Sequence, residues 1–188
     1  MVLGLKHGVT ELVDHDLEWG INAAETIQRL WAILGSTAKD IQHIGSTAIR
    51  NIKAKPVIDI AVLACNYEEI LSLTAELEKE GFIFRGWEGN DERQPVFQCG
   101  EYIQEDKEMR VLTHFIHIVK ADSQQWHDYI NLRNYMNAYP TVAHEYERVK
   151  LQLADENRND YHKYHLGKKD YIIDMIKTAN QWSESNLA

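Results

Sequence analysis

The sequence predicts an α+β protein in which a mixed β-sheet is packed against an N-terminal helix and a C-terminal helical segment. Apolar residues recur at helical spacing over 19–34, which indicates an amphipathic helix. Between 41 and 120, short β-branched and aliphatic runs indicate strands, with one helical pattern at 67–80 among them. After 123 the helical spacing returns and continues to 182. Helices and strands that are segregated along the chain in this way are typical of the α+β class.

The first half of the chain is predicted to alternate between helix and strand. An arm or short strand over 1–16 leads to a first helix, which Asp14 or Asp16 caps and which Gly35 ends. The elements that follow are strands at 41–44, 57–64 and 82–85, a helix at 67–80 that stops at Gly81, and a loop at 86–95.

The second half is predicted to complete the sheet and then to become helical. The sheet closes with a strand at 96–100, an acidic turn at 101–108 and a long strand at 109–120. Ser123 is a candidate cap for the next helix, and Pro140 fits the first turn of the one after it. The last expected elements are helices at 141–156 and 160–182 and a frayed end at 183–188.

The composition limits the classes of function. With 188 residues, of which 44% are hydrophobic and 26% are charged, the chain is expected to form one globular domain over 1–188. The net charge of −9 makes nucleic acid an unfavourable partner, because general nucleic-acid binders carry a basic face.

The sequence also bears on location. No apolar run approaches the roughly 20 residues of a membrane span, so no membrane partner is expected. The segment 1–10 lacks the charged-then-apolar order of a secretion signal. Two cysteines, Cys65 and Cys99, do not make a disulfide framework, so a cytoplasmic location is expected.

The stretch 43–63 carries the main candidate site. The turn of Gly45, Ser46 and Thr47 precedes a basic loop and a buried strand that contains Asp59. Hydroxyls and exposed amides of such a turn can hold phosphate oxygens, although a tight turn in which Ser46 only caps the backbone fits as well. A carboxylate in a buried strand is costly unless it holds a cation or is neutralised, here by Lys55, Arg50 or a histidine.

Two histidines, His114 and His117, stand in the predicted strand 109–120. Because strand residues three apart point to opposite faces, we expect one of them to face Asp59 and the other to face the helical layer. A histidine beside Asp59 can bind a metal or act with it as an acid–base pair. A hydrogen-bonded core histidine is the alternative.

The order of these residues resembles a known superfamily. An apolar residue, Gly-Ser, about a dozen residues and then Asp is similar to the polymerase-β-type nucleotidyltransferases, in which the turn holds a nucleoside triphosphate and two strand carboxylates hold magnesium. Gly45, Ser46 and Asp59 match, whereas Ala61 stands at the second carboxylate position and argues against an ordinary nucleotidyltransferase. The segments 43–48 and 54–60 resemble the signature of the GrpB family, and the likeness extends from about 14 to 176.

The resemblance and the residues together imply a nucleotidyltransferase-type sheet that binds a nucleotide or another anionic, phosphate-bearing small molecule and transfers a nucleotidyl group. Asp59 is the candidate ligand for Mg²⁺, and the candidate catalytic residues are Asp59, His114 and His117. The candidate phosphate-binding residues are Gly45, Ser46, Thr47, Arg50 and Lys55.

Two alternatives remain at this stage. One is a binding module without catalysis on a degenerate nucleotidyltransferase fold. The other is a protein-interaction domain that uses the aromatic side chains of the helical segment, namely Trp126, Tyr129, Tyr135, Tyr139 and Tyr146. Lys150 and Lys168 match family positions, and a solvated helix face is the favoured interpretation of both.

Overall fold

Helices cover both faces of a six-stranded mixed sheet in the computed structural model, which describes residues 3–6, 9–89, 93–103, 108–157 and 161–187. The strands are β1 (Leu5–Lys6), β2 (Ala38–Ile44), β3 (Ile58–Ala64), β4 (Ile83–Glu88), β5 (Gln94–Ile103) and β6 (Glu108–Lys120). Their order across the sheet is β2-β3-β6-β5-β4, and β1 pairs with β6. Since β3 and β6 run parallel and the other pairs run antiparallel, the predicted mixed sheet is confirmed.

Six helices accompany these strands in the described ranges. They are α1 (Glu18–Leu34), α2 (Tyr67–Ser72), α3 (Thr74–Lys79), α4 (Gln124–Ala138), α5 (Pro140–Glu156) and α6 (Tyr161–Leu187). No helix in the described part of the chain combines the length and the apolar character that crossing a membrane requires.

Helix α1 confirms the first predicted helix. Its buried residues include Trp19, Ala23 and Leu30, at the three-to-four-residue spacing of one helix face. The carboxylate of Asp16 accepts a hydrogen bond from the Glu18 amide at 3.0 Å, so Asp16 supplies the cap. Gly35 ends the helix with a φ of 51°.

Three predicted boundaries between residues 67 and 108 are wrong. β4 and β5 occupy half of the predicted loop 86–95 and pair from Glu88 opposite Gln94, because ladder hydrogen bonds do not require apolar side chains. β5 and β6 likewise enter both ends of the predicted acidic turn, whose residues 104–107 lie outside the described part of the chain. The predicted helix 67–80 breaks at Leu73, where the Ser72 and Thr74 hydroxyls donate to nearby backbone carbonyls instead of leaving these for the helix.

The helical segment follows the prediction with two differences. Pro140 occupies the first turn of α5, as expected. Ser123 precedes α4, but its hydroxyl donates to the Lys120 carbonyl at 2.8 Å and does not cap the helix. α6 continues to Leu187, so the frayed end expected at 183–188 is wrong up to that residue.

The alternation of β3 decides which side of the sheet carries the site. Ile58, Ile60 and Val62 belong to the core beneath α1. Ala61 lies on the opposite face, in a cluster with Trp126 and Tyr129 of α4. Asp59 shares the face of Ala61, because strand residues two apart point the same way.

Candidate functional site

Gly45 brings the predicted turn against Asp59. Its φ of 69° begins a 3₁₀ turn, Ser46–Ala48, directly after β2. A Cβ at position 45 would lie 2.9 Å from both Cβ and Cγ of Asp59, closer than side-chain atoms pack. The glycine therefore lets the Asp59 carboxylate lie directly against the backbone of the turn.

The two hydroxyl residues of the turn have different surroundings. Ser46 is half-buried, and its Oγ lies 3.3 Å from the Tyr146 hydroxyl of α5. Thr47 is buried, with its Oγ1 2.9 Å from His43 Nε2 and 3.4 Å from the Val57 carbonyl. The Ser46 hydroxyl is thus partly exposed, whereas the hydroxyl of Thr47 is engaged inside the fold, which leaves the Thr47 backbone for the predicted phosphate contact.

His117 is the histidine that faces Asp59. The parallel pairing of β3 with β6 places its Nε2 3.4 Å from Asp59 Oδ1. His114 points to the opposite face, where its Nε2 lies 3.1 Å from Thr26 Oγ1 of α1. The structure therefore brings His117 and Asp59 together and separates His114 from them, so a catalytic role for His114 stays a prediction.

Burial determines the charge state of His114. Removal from water lowers the pKa of the His114 imidazole to about 4, the nearby Arg29 lowers it further, and Asp59 opposes the shift. His114 is therefore neutral at physiological pH, as expected of a histidine within the layer beneath α1.

Three lysines lie over two tyrosine rings of α5 and α6, and we call Lys55, Lys150 and Lys168 the lysine cluster. The ammonium groups of Lys55 and Lys168 lie 4.3 and 5.5 Å from the centre of the Tyr164 ring. Lys150 Nζ lies 4.6 Å from the centre of the Tyr146 ring. Because the Tyr146 hydroxyl adjoins Ser46, the Tyr146 ring connects Lys150 with the turn.

The lysine cluster holds positive charge where burial partly removes the ammonium groups from water. Burial lowers the pKa of Lys55 to about 7, the charge of Lys168 lowers it further, and Asp59 opposes the shift. Burial, again with Lys168, lowers the pKa of Lys150 to about 7, while Glu147 opposes that shift. An anion between these groups would favour their charged forms.

Lys150 corrects the sequence interpretation. It is 1% exposed, and its ammonium donates to the Lys53 carbonyl at 2.5 Å, so the solvated helix face expected of it is wrong. The buried stripe of α5 is Ala143, Tyr146 and Lys150. Lys150 follows Tyr146 by four residues, the spacing of one helix face, and this spacing is the signal that would have found it.

Arg50 lies elsewhere. It is exposed, and its backbone amide donates to Asn137 Oδ1 at 3.0 Å. Its side chain lines a groove of about 670 Å³ together with Arg133, Asn137 and Trp182. The described residues that line this groove include neither Asp59 nor Ser46 nor a member of the lysine cluster. Phosphate binding by Arg50 together with the Ser46 turn stays a prediction.

Asp59 suits one divalent cation more than two. The second carboxylate position is Ala61, which pairs with Gln42 of β2 and His117 of β6. Within the described ranges no three His, Cys, Asp or Glu side chains gather at one point suited to a metal. Magnesium is often held by a single carboxylate that phosphate oxygens and water complete, and Asp59 on the Gly45 turn fits that arrangement.

Sequence reasoning also missed the polar residues behind His117. Gln94 of β5 is 4% exposed, and its Nε2 lies 3.2 Å from His117 Nδ1 and 3.2 Å from the Tyr129 hydroxyl. Gln125 Nε2 donates to the same hydroxyl at 3.0 Å. Gln94 fell in the predicted loop 86–95, and recognition of the β4–β5 pairing would have placed it next to His117.

Comparison with known proteins identifies relatives over almost the whole chain. The family model described as GrpB protein matches residues 9–178. The glutamate-rich protein GrpB of Alkalihalophilus pseudofirmus is 33% identical over 175 residues, which cover 93% of this chain and 98% of that protein. The UPF0157 protein YqkA of Bacillus subtilis is 27% identical over 174 residues, which cover 93% of this chain and 48% of YqkA.

Solved structures include proteins that are similar to this chain in fold. The conserved protein GrpB from Enterococcus faecalis superposes with a TM-score of 0.80 at 28% identity, over 92% of this chain and 99% of that chain. A cytoplasmic RNA terminal U-transferase superposes with a TM-score of 0.51 at 16% identity, over 76% of this chain and 43% of that chain, a likeness of fold. The fold is of the nucleotidyltransferase type, and the chain belongs to the GrpB family.

Proposed function

We propose that this protein binds a nucleoside triphosphate in the hollow between the sheet and helices α5 and α6, and transfers a nucleotidyl group from it. The lysine cluster carries the proposal: the ammonium groups of Lys55 and Lys168 lie over the Tyr164 ring, and that of Lys150 lies over the Tyr146 ring, whose hydroxyl adjoins Ser46. Such a concentration of cations is unfavourable in the free protein, and a polyphosphate would neutralise it. The nucleotidyltransferase-type fold supports the same assignment.

Each group has a role in this proposal. The Ser46 hydroxyl and the backbone of the turn would hold phosphate oxygens, and the lysine cluster would neutralise the triphosphate. Asp59 would hold Mg²⁺, which supplies charge neutralisation to the phosphates. An oxygen of the acceptor would form a bond to the α-phosphorus, pyrophosphate would leave with the electrons of the broken bond, and the acceptor's proton would pass to water.

Thermal unfolding with ATP, GTP, CTP and UTP, each with and without Mg²⁺, tests the proposal. A ligand that binds only the native state stabilises it by about 2.7 kcal/mol at a hundred times its dissociation constant. We expect at least one triphosphate to raise the midpoint, and Mg²⁺ to increase the shift.

Three variants test which residues produce the shift in the unfolding midpoint. We expect Ser46→Ala and Lys150→Met to reduce the triphosphate shift with or without Mg²⁺, and Asp59→Asn to remove only the additional shift due to Mg²⁺. Ser36→Ala, in the exposed turn after α1, is the matched control and should keep the full response. Midpoints that none of the four nucleotides moves, or shifts that persist in Lys150→Met, would refute the proposal.

A further inference from the structure

In the hydrogen bonds that join Gln94, His117 and Asp59, the donor and the acceptor can be assigned. Gln94 Nε2 is an amide donor, and it lies 3.2 Å from Nδ1 of His117. A ring nitrogen that accepts a hydrogen bond carries no proton, so the proton of a neutral His117 lies on Nε2. That nitrogen lies 3.4 Å from Asp59 Oδ1 and donates to it.

The orientation of the Gln94 amide supports this assignment. Both hydrogens of its NH₂ group have acceptors, His117 Nδ1 and the Tyr129 hydroxyl. Its Oε1 is buried and has no hydrogen-bond partner among the described residues. The opposite orientation would place the NH₂ group at that position and leave two buried donors unsatisfied in place of one acceptor, which is the more expensive arrangement.

Neighbouring rings restrict the imidazole as well. The ring centre of His117 lies 4.8 Å from that of Phe115 and 5.7 Å from that of Tyr129. Tyr129 is in turn fixed by hydrogen bonds from Gln94 and Gln125. The ring therefore has little freedom to turn its other nitrogen toward Asp59.

From these contacts we infer that Gln94 fixes His117 as the neutral Nε2–H tautomer and that His117 positions the Asp59 carboxylate. His117 engages Oδ1, while Oδ2 lies against the Gly45 turn. Gln94 and His117 are thus positioning residues, and Asp59 offers one oxygen to a cation. Only this last step rests on the proposed function; the tautomer belongs to the free protein.

The tautomer can be measured directly. Nitrogen-15 NMR of the histidine rings, at neutral pH and without nucleotide or metal, should show His117 protonated at Nε2 alone. In Gln94→Glu the carboxylate accepts a hydrogen bond from Nδ1–H while Asp59 still accepts from Nε2–H, so His117 should gain a second proton, at Nδ1. His114, on the same strand and the opposite face, should keep its signals in that variant. An Nδ1–H ring in the wild type, or an unchanged ring in Gln94→Glu, would overturn the assignment.

The positioning role has its own measurement. Mn²⁺ alone, titrated by its paramagnetic broadening of resonances, should bind about tenfold more weakly to Gln94→Leu and His117→Phe, as is typical when the partner of a metal-binding group is lost. His144→Asn, whose native side chain is 56% exposed, should bind Mn²⁺ as the wild type does. Equal affinity in all three variants would refute positioning by Gln94 and His117. Failure of every nucleotide to bind would refute the proposed function and leave the tautomer result standing.

Discussion

At the scale of single residues, Gly45 has two requirements that separate variants distinguish. Gly45→Ala places a Cβ 2.9 Å from Asp59 Cβ and Cγ at a φ of 69°, so it adds a collision to the backbone strain. Gly35→Ala is the matched control, because its φ is 51° and no atom lies within 4 Å of the added Cβ.

We expect Gly35→Ala to lower the free energy of unfolding by about 1 kcal/mol, the strain of a left-handed residue, and Gly45→Ala to lower it by about 3 kcal/mol or more. Urea unfolding of both variants measures the difference. Equal losses would show that Asp59 does not occupy the space above the turn.

The buried His114 predicts a dependence of stability on pH. Its pKa is about 4 in the folded state against 6.5 for the free side chain, so the unfolded state binds more protons between these values. The free energy of unfolding should therefore hold its full value above pH 6.5 and fall as the pH is lowered toward 4. Between pH 6.5 and pH 5, the decrease in the free energy of unfolding that His114 causes is about 2 kcal/mol.

Unfolding of His114→Asn across this range tests the assignment. The variant should lose part of the acid-induced decrease, whereas His144→Asn, whose side chain is 56% exposed in the native protein, should retain it. A His114→Asn curve parallel to that of the wild type would contradict the buried neutral imidazole.

At the scale of elements, α4 anchors the connection between the turn and β3. Asn137 of α4 accepts a hydrogen bond from the Arg50 amide at 3.0 Å and donates one to the Ala48 carbonyl at 2.9 Å. We expect Asn137→Ala to lower the free energy of unfolding by about 2 kcal/mol, because two backbone groups lose their partner.

Asn134→Ala is the control on the same helix. Asn134 is exposed, and its Oδ1 accepts a hydrogen bond at 3.0 Å from Nε of Arg133, its neighbour in sequence. Asn134→Ala should lower the free energy of unfolding by no more than about 0.5 kcal/mol. Comparable losses in the two variants would mean that α4 does not hold the connection.

Element periodicity explains which parts of the fold the sequence predicts. The apolar run of β3 and the spacing of α1 are set by burial, which leaves its pattern in the residues themselves. The pairing of Glu88 with Gln94 depends on a partner strand, and the break at Leu73 depends on hydroxyls that compete for carbonyls. Neither leaves an apolar period, so neither was predicted.

The same reasoning applies to the site. Gly45, Ser46 and Asp59 are separated by a short connection, and their order in the sequence was enough to place them together. Lys150 and Gln94 reach the site through the packing of α5 and the pairing of β5, contacts between positions far apart in the sequence. Long-range packing of this kind is what a single sequence does not display.

At the scale of the whole molecule, the lysine cluster predicts that stability and anion affinity change in opposite directions with pH. Lys55 and Lys150 have folded-state pKa values near 7 against 10.5 for the free side chain. Between pH 7 and 9 the unfolded state retains protons that the folded state has released, so the free protein should become more stable, by about 2 kcal/mol for each of the two lysines. Affinity for inorganic triphosphate should fall over the same range, because the binding cations are discharged.

Unfolding and calorimetric titration at both pH values measure the two trends. Lys150→Met should reduce both the rise in stability and the fall in triphosphate affinity. Lys177→Met, whose native side chain is 67% exposed, should show both changes at full size. A rise in triphosphate affinity above pH 7 would contradict the role of the cluster.

The most direct test of a triphosphate site in the hollow is a crystal structure of the protein with a non-hydrolysable nucleoside triphosphate analogue and Mg²⁺. We expect the phosphates beside the Ser46 hydroxyl and the ammonium groups of Lys55, Lys150 and Lys168, with the cation on Asp59. An analogue bound instead in the groove of Arg50, Arg133 and Trp182, with the hollow closed, would contradict the account.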